Sequence, residues 1–532
     1  MDREFNLLDE PWIRVMLPDF TQKELSLTDV LLEAHEIRDL AGELPAQDTA
    51  VLRLLLAVLH TVFSRCDENG DAYEIEEPDE ALRRWGALRN EGSFPEIPVR
   101  RYLEEQRGRF WLFDPERPFF QVPGIAGTDY TAAKLNGALS ESNNKTRLFP
   151  PCAGEGKAAL SYAEAARWLL FVNGYDDTSA KPKQKGLPSP GAGWLGKIGA
   201  VCSVGENLFE TLMLNLVLLR DRYSCWEDGW PVWERETPKA GERTEIPLPD
   251  NQPELLTLQS RRLLLKREGG AVTGYTLLGG DFFQRENAFT EQMTVWRTVT
   301  DKNKKITGFQ PKRHDKSRQM WRDFAAFAAQ GEGKKRPGVV EWAAVLKEGC
   351  LLPDDRLLRL RITGVQYGDK DFFITDEFSD SLEFNAGLLT EAGDVWQELA
   401  LIEIELCGNV AWIVGNLADD LEKASGGGGS AADRAMEQFY YRLDVPFREW
   451  LRTLDPGQGT PARDERRKAW RSKVKTIAAA LGKEYMAQAG EAAFAGRMLT
   501  EDGKERRYSA PEAFNFFIYR LNKIINGRDA EQ

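Results

Sequence analysis

Histidine is scarce in this chain of 532 residues: only His35, His60 and His314 occur. None stands at ligand spacing from another histidine or a cysteine, which argues against a His/Cys zinc site and leaves imidazole acid–base chemistry few candidates. The six cysteines (Cys66, Cys152, Cys202, Cys225, Cys350 and Cys407) are scattered and form no CxxC pair. That pattern suits buried thiols in a reducing cytoplasm, not a disulfide framework. No uninterrupted apolar run reaches the ~20 residues a membrane span needs. The longest, around Val51 to Phe63, is broken by Arg53 and His60 and reads as a buried helix. The opening MDREFNLLDE lacks a basic region followed by an apolar one, so no export signal is expected. Excess positive charge is missing as well: 84 acidic against 70 basic residues give a net charge of −14. This argues against a polycation that coats nucleic acid or membrane by bulk charge. A local basic track remains open, because phosphate contacts are made residue by residue.

What is present is core material. At 42% hydrophobic and 10% aromatic, the chain can bury a large interior, and wholesale disorder is excluded. Length alone gives roughly three or four domains at about 150 residues each, and the pattern favours two of unequal size. FNLLDEPWIRV (5–15), RFWLFD (109–114), RRLLLKREGG (261–270) and RLRITGVQYGDKDFFIT (359–375) read as strands with turns. Helical periodicity covers 46–64, 161–172 and 205–220. Without regular strand–helix alternation, this is an α+β pattern: a large mixed α/β domain over 1–393. From 394 to 532 the character changes. Val395, Leu399, Ile402, Leu406, Val410, Ile413 and Leu417 keep helical spacing. Further helices are predicted over Ala431–Leu454, over Ala462–Gln488 and from Pro511 to just before Gly527, giving a C-terminal antiparallel four-helix bundle. Ser425–Ser430 (SGGGGS) reads by composition as a flexible linker between the first two.

No catalytic constellation emerges: GxSxG, HExxH and EF-hand patterns are missing, and the acidic pairs Asp354-Asp355 and Asp419-Asp420 have no assignable partners. Gly191–Lys197 fits GxxxxGK. Ile198 cannot supply the magnesium-binding hydroxyl, however, and KPKQKGLPSP is no buried strand, so a glycine-permitted turn is the better reading. Basic clusters carry more weight. Lys181, Lys183 and Lys185 lie in a Pro-rich stretch; Lys302, Lys304, Lys305, Lys312, Arg313, Lys316 and Arg318 form a second group near Phe309 and Trp321. Arg463, Arg467 and Arg471 recur every fourth residue and form one helical stripe, a candidate contact for a DNA backbone. The polar run Ser140–Pro151 reads as a long functional loop, and Ile362–Ile374 as a hairpin with Gly368-Asp369-Lys370-Asp371 at its tip.

FNLLDEPWIRV (5–15), FFQV (119–122), AEAARWLLF (163–171), AGWLGKIG (192–199), ENLFETLMLNLV (206–217), LLGGDFFQRENAFTEQMTVWR (277–297) and QMWRDF (319–324) resemble, in this order, the CasA family, large subunit of type I-E CRISPR Cascade complexes. The resemblance implies a non-catalytic cytoplasmic subunit with no cofactor and no metal. Its implied partners are other Cascade subunits, crRNA, double-stranded target DNA and a helicase–nuclease. Guide pairing reads the target, while such a subunit reads the protospacer-adjacent motif and promotes R-loop formation. By the same resemblance, Asn143, Asn144, Lys145 and Phe149 belong to a loop near the crRNA 5′ handle, with Pro151 where the family has an asparagine. Ser179, Ala180, Lys181 and Lys183 replace a glycine-rich loop that approaches the minor groove. Gly368, Asp369 and Lys370 fall on a wedge hairpin whose tip glutamine is absent here, and no lysine occupies Gly279–Asp281, where the family carries one. Two other readings stand beside this one: a protein–protein scaffold with incidental DNA contact, and an NTP-using enzyme built on Gly191–Lys197.

Overall fold

The computed structural model describes residues 3–141, 150–178, 191–236, 245–501 and 504–526. They form two compact units. The larger comprises Met1–Arg318, Ala329–Leu352 and Arg359–Ser381; the smaller comprises Gln319–Ala328, Pro353–Leu358 and Leu382–Gln532. The smaller unit thus starts ahead of the residue 393/394 boundary suggested by the sequence and takes in two short upstream segments, the first of which carries Trp321.

The larger unit is built around the helix Pro45–Arg65, opened by a proline in its first turn. It is apolar on every side, and nearly every side chain from Ala46 to Phe63 is buried. Its length and hydropathy match a membrane span, but 94% of its apolar stretch is covered by the protein itself, as expected for a core helix. The two polar interruptions are accommodated differently. Arg53 makes a two-pronged ion pair with Glu291 at 2.8 and 3.0 Å. His60 is held neutral, burial pushing its pKa down to about 3. The capped helix Tyr162–Tyr175 packs against this core helix.

Of the three three-stranded sheets among the described residues, two bear on the site. In one, Ala271–Gly279 lies between Arg261–Glu268 and Thr128–Thr131, antiparallel to both, with Leu277 opposite Leu263 and Tyr275 opposite Tyr130. In the other, Leu357–Tyr367 lies between Ala200–Val204 and Ile374–Asn385. The hairpin expected over 362–374 is therefore the tip of two much longer strands. The helix expected to run to 220 covers only Leu208–Asn215. There the Asn215 amide turns back onto both backbone groups of Ser203, at 2.9 and 2.6 Å, and the chain leaves as a short strand, Leu219–Asp221.

The smaller unit is a bundle of Asp394–Ser425, Ala432–Arg452, Thr460–Gln488 and Ala510–Asn526, the first packing against the other three. Leu399, Leu406, Val410, Ile413 and Leu417 are buried as the periodicity requires, whereas Val395, at the start of the helix, is 51% exposed. Trp450 stacks on Trp470 at 5.2 Å and Phe447 on Trp321 at 4.3 Å, forming an aromatic centre. The glycine run is anchored at both ends. Gly426, at φ +105°, caps the first helix in the left-handed region, and the Glu422 carboxylate accepts the Ser430 N–H at 2.5 Å. A short helix, Glu491–Ala495, and a hairpin of Arg497–Glu501 with Lys504–Tyr508 precede the last helix, and no sequence signal marked them.

Candidate nucleic-acid interface

The hairpin tip is the best-defined of the expected site elements. Asp369 and Lys370 are exposed, and Lys370 and Asp371 both occupy the left-handed region at φ 55° and 58°. Non-glycine residues there store roughly 1–3 kcal/mol each, so surrounding bonds must hold them. Asp371 receives both terminal nitrogens of Arg313 at 2.6 and 2.8 Å, while Arg313 Nε donates to the Gly196 carbonyl at 2.6 Å. Partial burial works against the Arg313 cation, but the bonds from Asp371 outweigh it and raise its pKa. Thr178 closes the other side. Its N–H donates to the Asp371 carbonyl at 2.9 Å and its hydroxyl to the Lys370 carbonyl at 3.0 Å. So held, the turn leaves Phe372 48% exposed beside Lys370. The sequence reading stopped at Asp371 and missed this ring. Strand alternation gives no signal for it, because Phe372 closes the turn at φ −81°, ψ 10° and the strand begins only at Ile374.

Asn143, Asn144, Lys145, Phe149, Ser179, Ala180, Lys181 and Lys183 lie outside the described residues. The segments that lead into and out of those two stretches are described, and they converge. Buried Arg261 donates to the Asp176 carboxylate at 2.5 Å, to the carbonyls of Asp176 and Asp177 at 3.1 and 3.2 Å, and to the Gly191 carbonyl at 2.6 Å. One guanidinium therefore joins both sides of the 179–190 stretch. Asp177 is further paired with buried Lys134 at 2.6 Å. The same short helix, Ala132–Leu135, accepts the Glu141 N–H through Ala133 at 3.2 Å, and Glu141 pairs with Lys157 at 2.9 Å. With Thr178 already bonded to the hairpin tip, the described residues next to both stretches and the tip share one hydrogen-bonded frame.

The glycine-rich run 191–199 belongs to this frame and is not a phosphate cradle. Any side chain at Gly193 would meet the Gly174 carbonyl at 2.3 Å, and one at Gly196 would meet the Tyr367 hydroxyl at 2.0 Å. Trp194 donates its indole N–H to Glu291 at 2.6 Å, fastening the run to the Arg53 pair of the core helix. Tyr367, on the hairpin strand, donates to the Tyr175 carbonyl at 2.6 Å. The glycines thus let the hairpin strand lie directly on the core.

The basic clusters divide by surroundings. Lys302, Lys304 and Lys305 are exposed at the turn of the hairpin formed by Trp296–Thr300 and Ile306–Pro311, whereas Lys316 is paired with Asp376 at 2.9 Å. The helical arginine stripe needs correction. Arg471 is buried and donates to Glu403 at 2.9 Å, and Arg467 lies 3.7 Å from the same carboxylate. Only Arg463, beside Asp464 at 3.5 Å, is without a link to the bundle interior through Glu403. Helical spacing put the three on one side of the helix, but that side turns inward at its C-terminal end, because Glu403 is fully buried and needs a cation.

The model of the CRISPR-associated protein Cse1 family matches residues 6–481, and the chain belongs to that family. A CasA/Cse1 protein of Thermus thermophilus is 31% identical over 433 residues, covering 79% of this chain and 78% of the relative. The crystal structure of Thermobifida fusca Cse1 superposes with a TM-score of 0.83 at 32% identity, over 98% of each chain. Cse1 from Acidimicrobium ferrooxidans gives 0.77 at 25% identity, over 98% of this chain and 99% of that one. A chain of a CRISPR RNA-guided surveillance complex shares the fold, with a TM-score of 0.62 at 18% identity, over 92% of this chain and all of that one.

Proposed function

We propose that this chain is the large, non-catalytic subunit of a cytoplasmic RNA-guided surveillance complex, assembled with other Cascade subunits and crRNA. In this reading it recognises a protospacer-adjacent motif in duplex DNA, promotes R-loop formation and offers a docking surface to a helicase–nuclease. The observation that supports it is the frame just described: the residues next to two sequence-marked stretches and a clamped hairpin tip, tied together by Arg261, Lys134, Thr178 and Arg313. Opening a duplex requires a side chain that takes up a stacking position and stays there under load. A strained turn clamped on two sides, with exposed Phe372 and Lys370, meets that requirement without the family's glutamine. Lys145, Lys181 and Lys183 supply phosphate or groove contacts, and the exposed Lys302–Lys305 turn adds local positive charge to an acidic protein.

The deciding experiment offers the reconstituted complex a randomised library of duplexes flanking a matched target, with and without this chain. Flank preference should vanish when the chain is omitted. With the chain present, alanine at Lys181, Lys183 and Lys370 should lower affinity for motif-bearing duplexes. Unchanged preference without the chain, or unchanged affinity in the triple variant, would leave a protein–protein scaffold as the better description.

A further inference from the structure

Apart from that frame, the larger unit contains a cavity of about 560 Å³ between the Leu219–Asp221 strand, the 289–296 segment and the start of the Gly338–Glu348 helix. This volume lies within the roughly 300–1,000 Å³ usual for small-molecule sites. Leu219, Leu248, Phe289 and Val345 give it an apolar wall. The opposite character comes from the run Gly331-Glu332-Gly333-Lys334-Lys335-Arg336. Gly331 and Gly333, at φ +124° and +69°, fold it into a tight turn that places Lys334, Lys335 and Arg336 on the lining together with Arg220 and Arg222.

Of the three carboxylates on the lining, Glu291 and Glu341 are engaged by cations or indole, and exposed Asp221 accepts the Tyr223 N–H at 2.8 Å. Glu291 holds Arg53 at 2.8 Å and Trp194 at 2.6 Å; Glu341 receives Arg222, Gln330 and Arg336. Lys335 makes no ion pair with any described residue. Its ammonium rests 4.3 Å from the centre of the Phe289 ring, and desolvation pushes its pKa down against the more distant charges of Glu341 and Asp221. A half-buried cation beside an aromatic ring, with five basic side chains on the lining against the three carboxylates Asp221, Glu291 and Glu341, leaves room for an anion with an apolar body.

We propose that this cavity binds a nucleotide, its phosphate on Lys335 with Lys334 and Arg220, and its base along the apolar wall at Phe289. The phosphate replaces the hydration that burial takes from Lys335, and the ring covers apolar surface that phosphate alone would leave wet. The inference is independent of the duplex-opening reading, since the hairpin tip contributes nothing to the cavity lining.

Isothermal titration of the full chain tests it, with adenosine monophosphate, adenosine, inorganic phosphate and a short single-stranded oligonucleotide as probes. Adenosine monophosphate or the oligonucleotide should bind saturably, with adenosine and phosphate at least about tenfold weaker, because a charged hydrogen bond is worth about 1.5–3 kcal/mol. Lys335→Ala should weaken binding by about tenfold or more, and Lys335→Arg should recover most of it, at unchanged thermal midpoints. Binding of the monophosphate alone assigns the site to a free nucleotide; binding of the oligonucleotide, alone or with the monophosphate, assigns it to a unit of a strand. No saturable binding of either, equal binding of adenosine, or full affinity in Lys335→Ala overturns the proposal.

Discussion

Arg313 in the larger unit and Arg471 in the smaller one were both read from the sequence as members of basic clusters, and both prove to be tied to a carboxylate. Arg313 and Asp371 are about one-third exposed, at 37% and 30%, and their pair holds a strained turn in place. Arg471 and Glu403 are almost wholly buried, at 5% and 0%, and their pair joins two bundle helices. The same chemistry thus fixes a local shape in one unit and satisfies a buried charge in the other. Water content separates the two cases: a solvated pair adds little stability, while a buried pair cannot lose one member without exposing the other to an apolar interior.

That contrast is sharpest in unfolding experiments. Arg471→Ala should destabilise the protein by about 3–5 kcal/mol in denaturant titration, because Glu403 would be left buried without its closest cation. A loss under about 1 kcal/mol would show that water or Arg467 relieves Glu403 and would erase the distinction. Arg261→Ala should cost nearly as much and should also increase proteolytic cleavage between Asp177 and Gly191, both of which lose their common donor. Arg313→Ala should cost no more than about 1 kcal/mol, since its pair is solvated, yet in the assembled complex it should slow target-strand opening read by a base-analogue fluorophore. A large stability loss with normal opening would reverse the assignment of the two pairs. Lys370→Gly should have the smallest effect on folding, neutral to about 1 kcal/mol stabilising, because glycine removes the left-handed strain. Duplex affinity should still fall with the lost charge. Should it hold, the tip would act through backbone and Phe372 alone.

The sequence was most legible where burial and periodicity coincide. The buried core helix and the bundle helices, to within a few residues, follow from apolar spacing that tertiary packing then uses. It was least legible where one polar residue decides the outcome. Asn215 ends a helix whose periodicity continues, and Gly426 makes a cap from a run that composition describes as loose. The turn at 368–371 lies where the sequence places it, but Arg313 is grouped there with surface bases, because pairing to Asp371, 58 residues away, leaves no local mark. Arg471 was misassigned for the same reason, its partner Glu403 lying on another helix. Phe372 was missed because nothing in its neighbours says which of two adjacent rings faces water.

The single guanidinium of Arg261 has a consequence for how such a protein diversifies. Since it grips Asp177 and Gly191 together, it fixes where these two residues stand relative to each other, like the jaws of a chuck, independently of the sequence that joins them. On the proposed function, transplanting the joining sequence from a relative, with Arg261 kept, should carry the donor's flank preference across in one exchange.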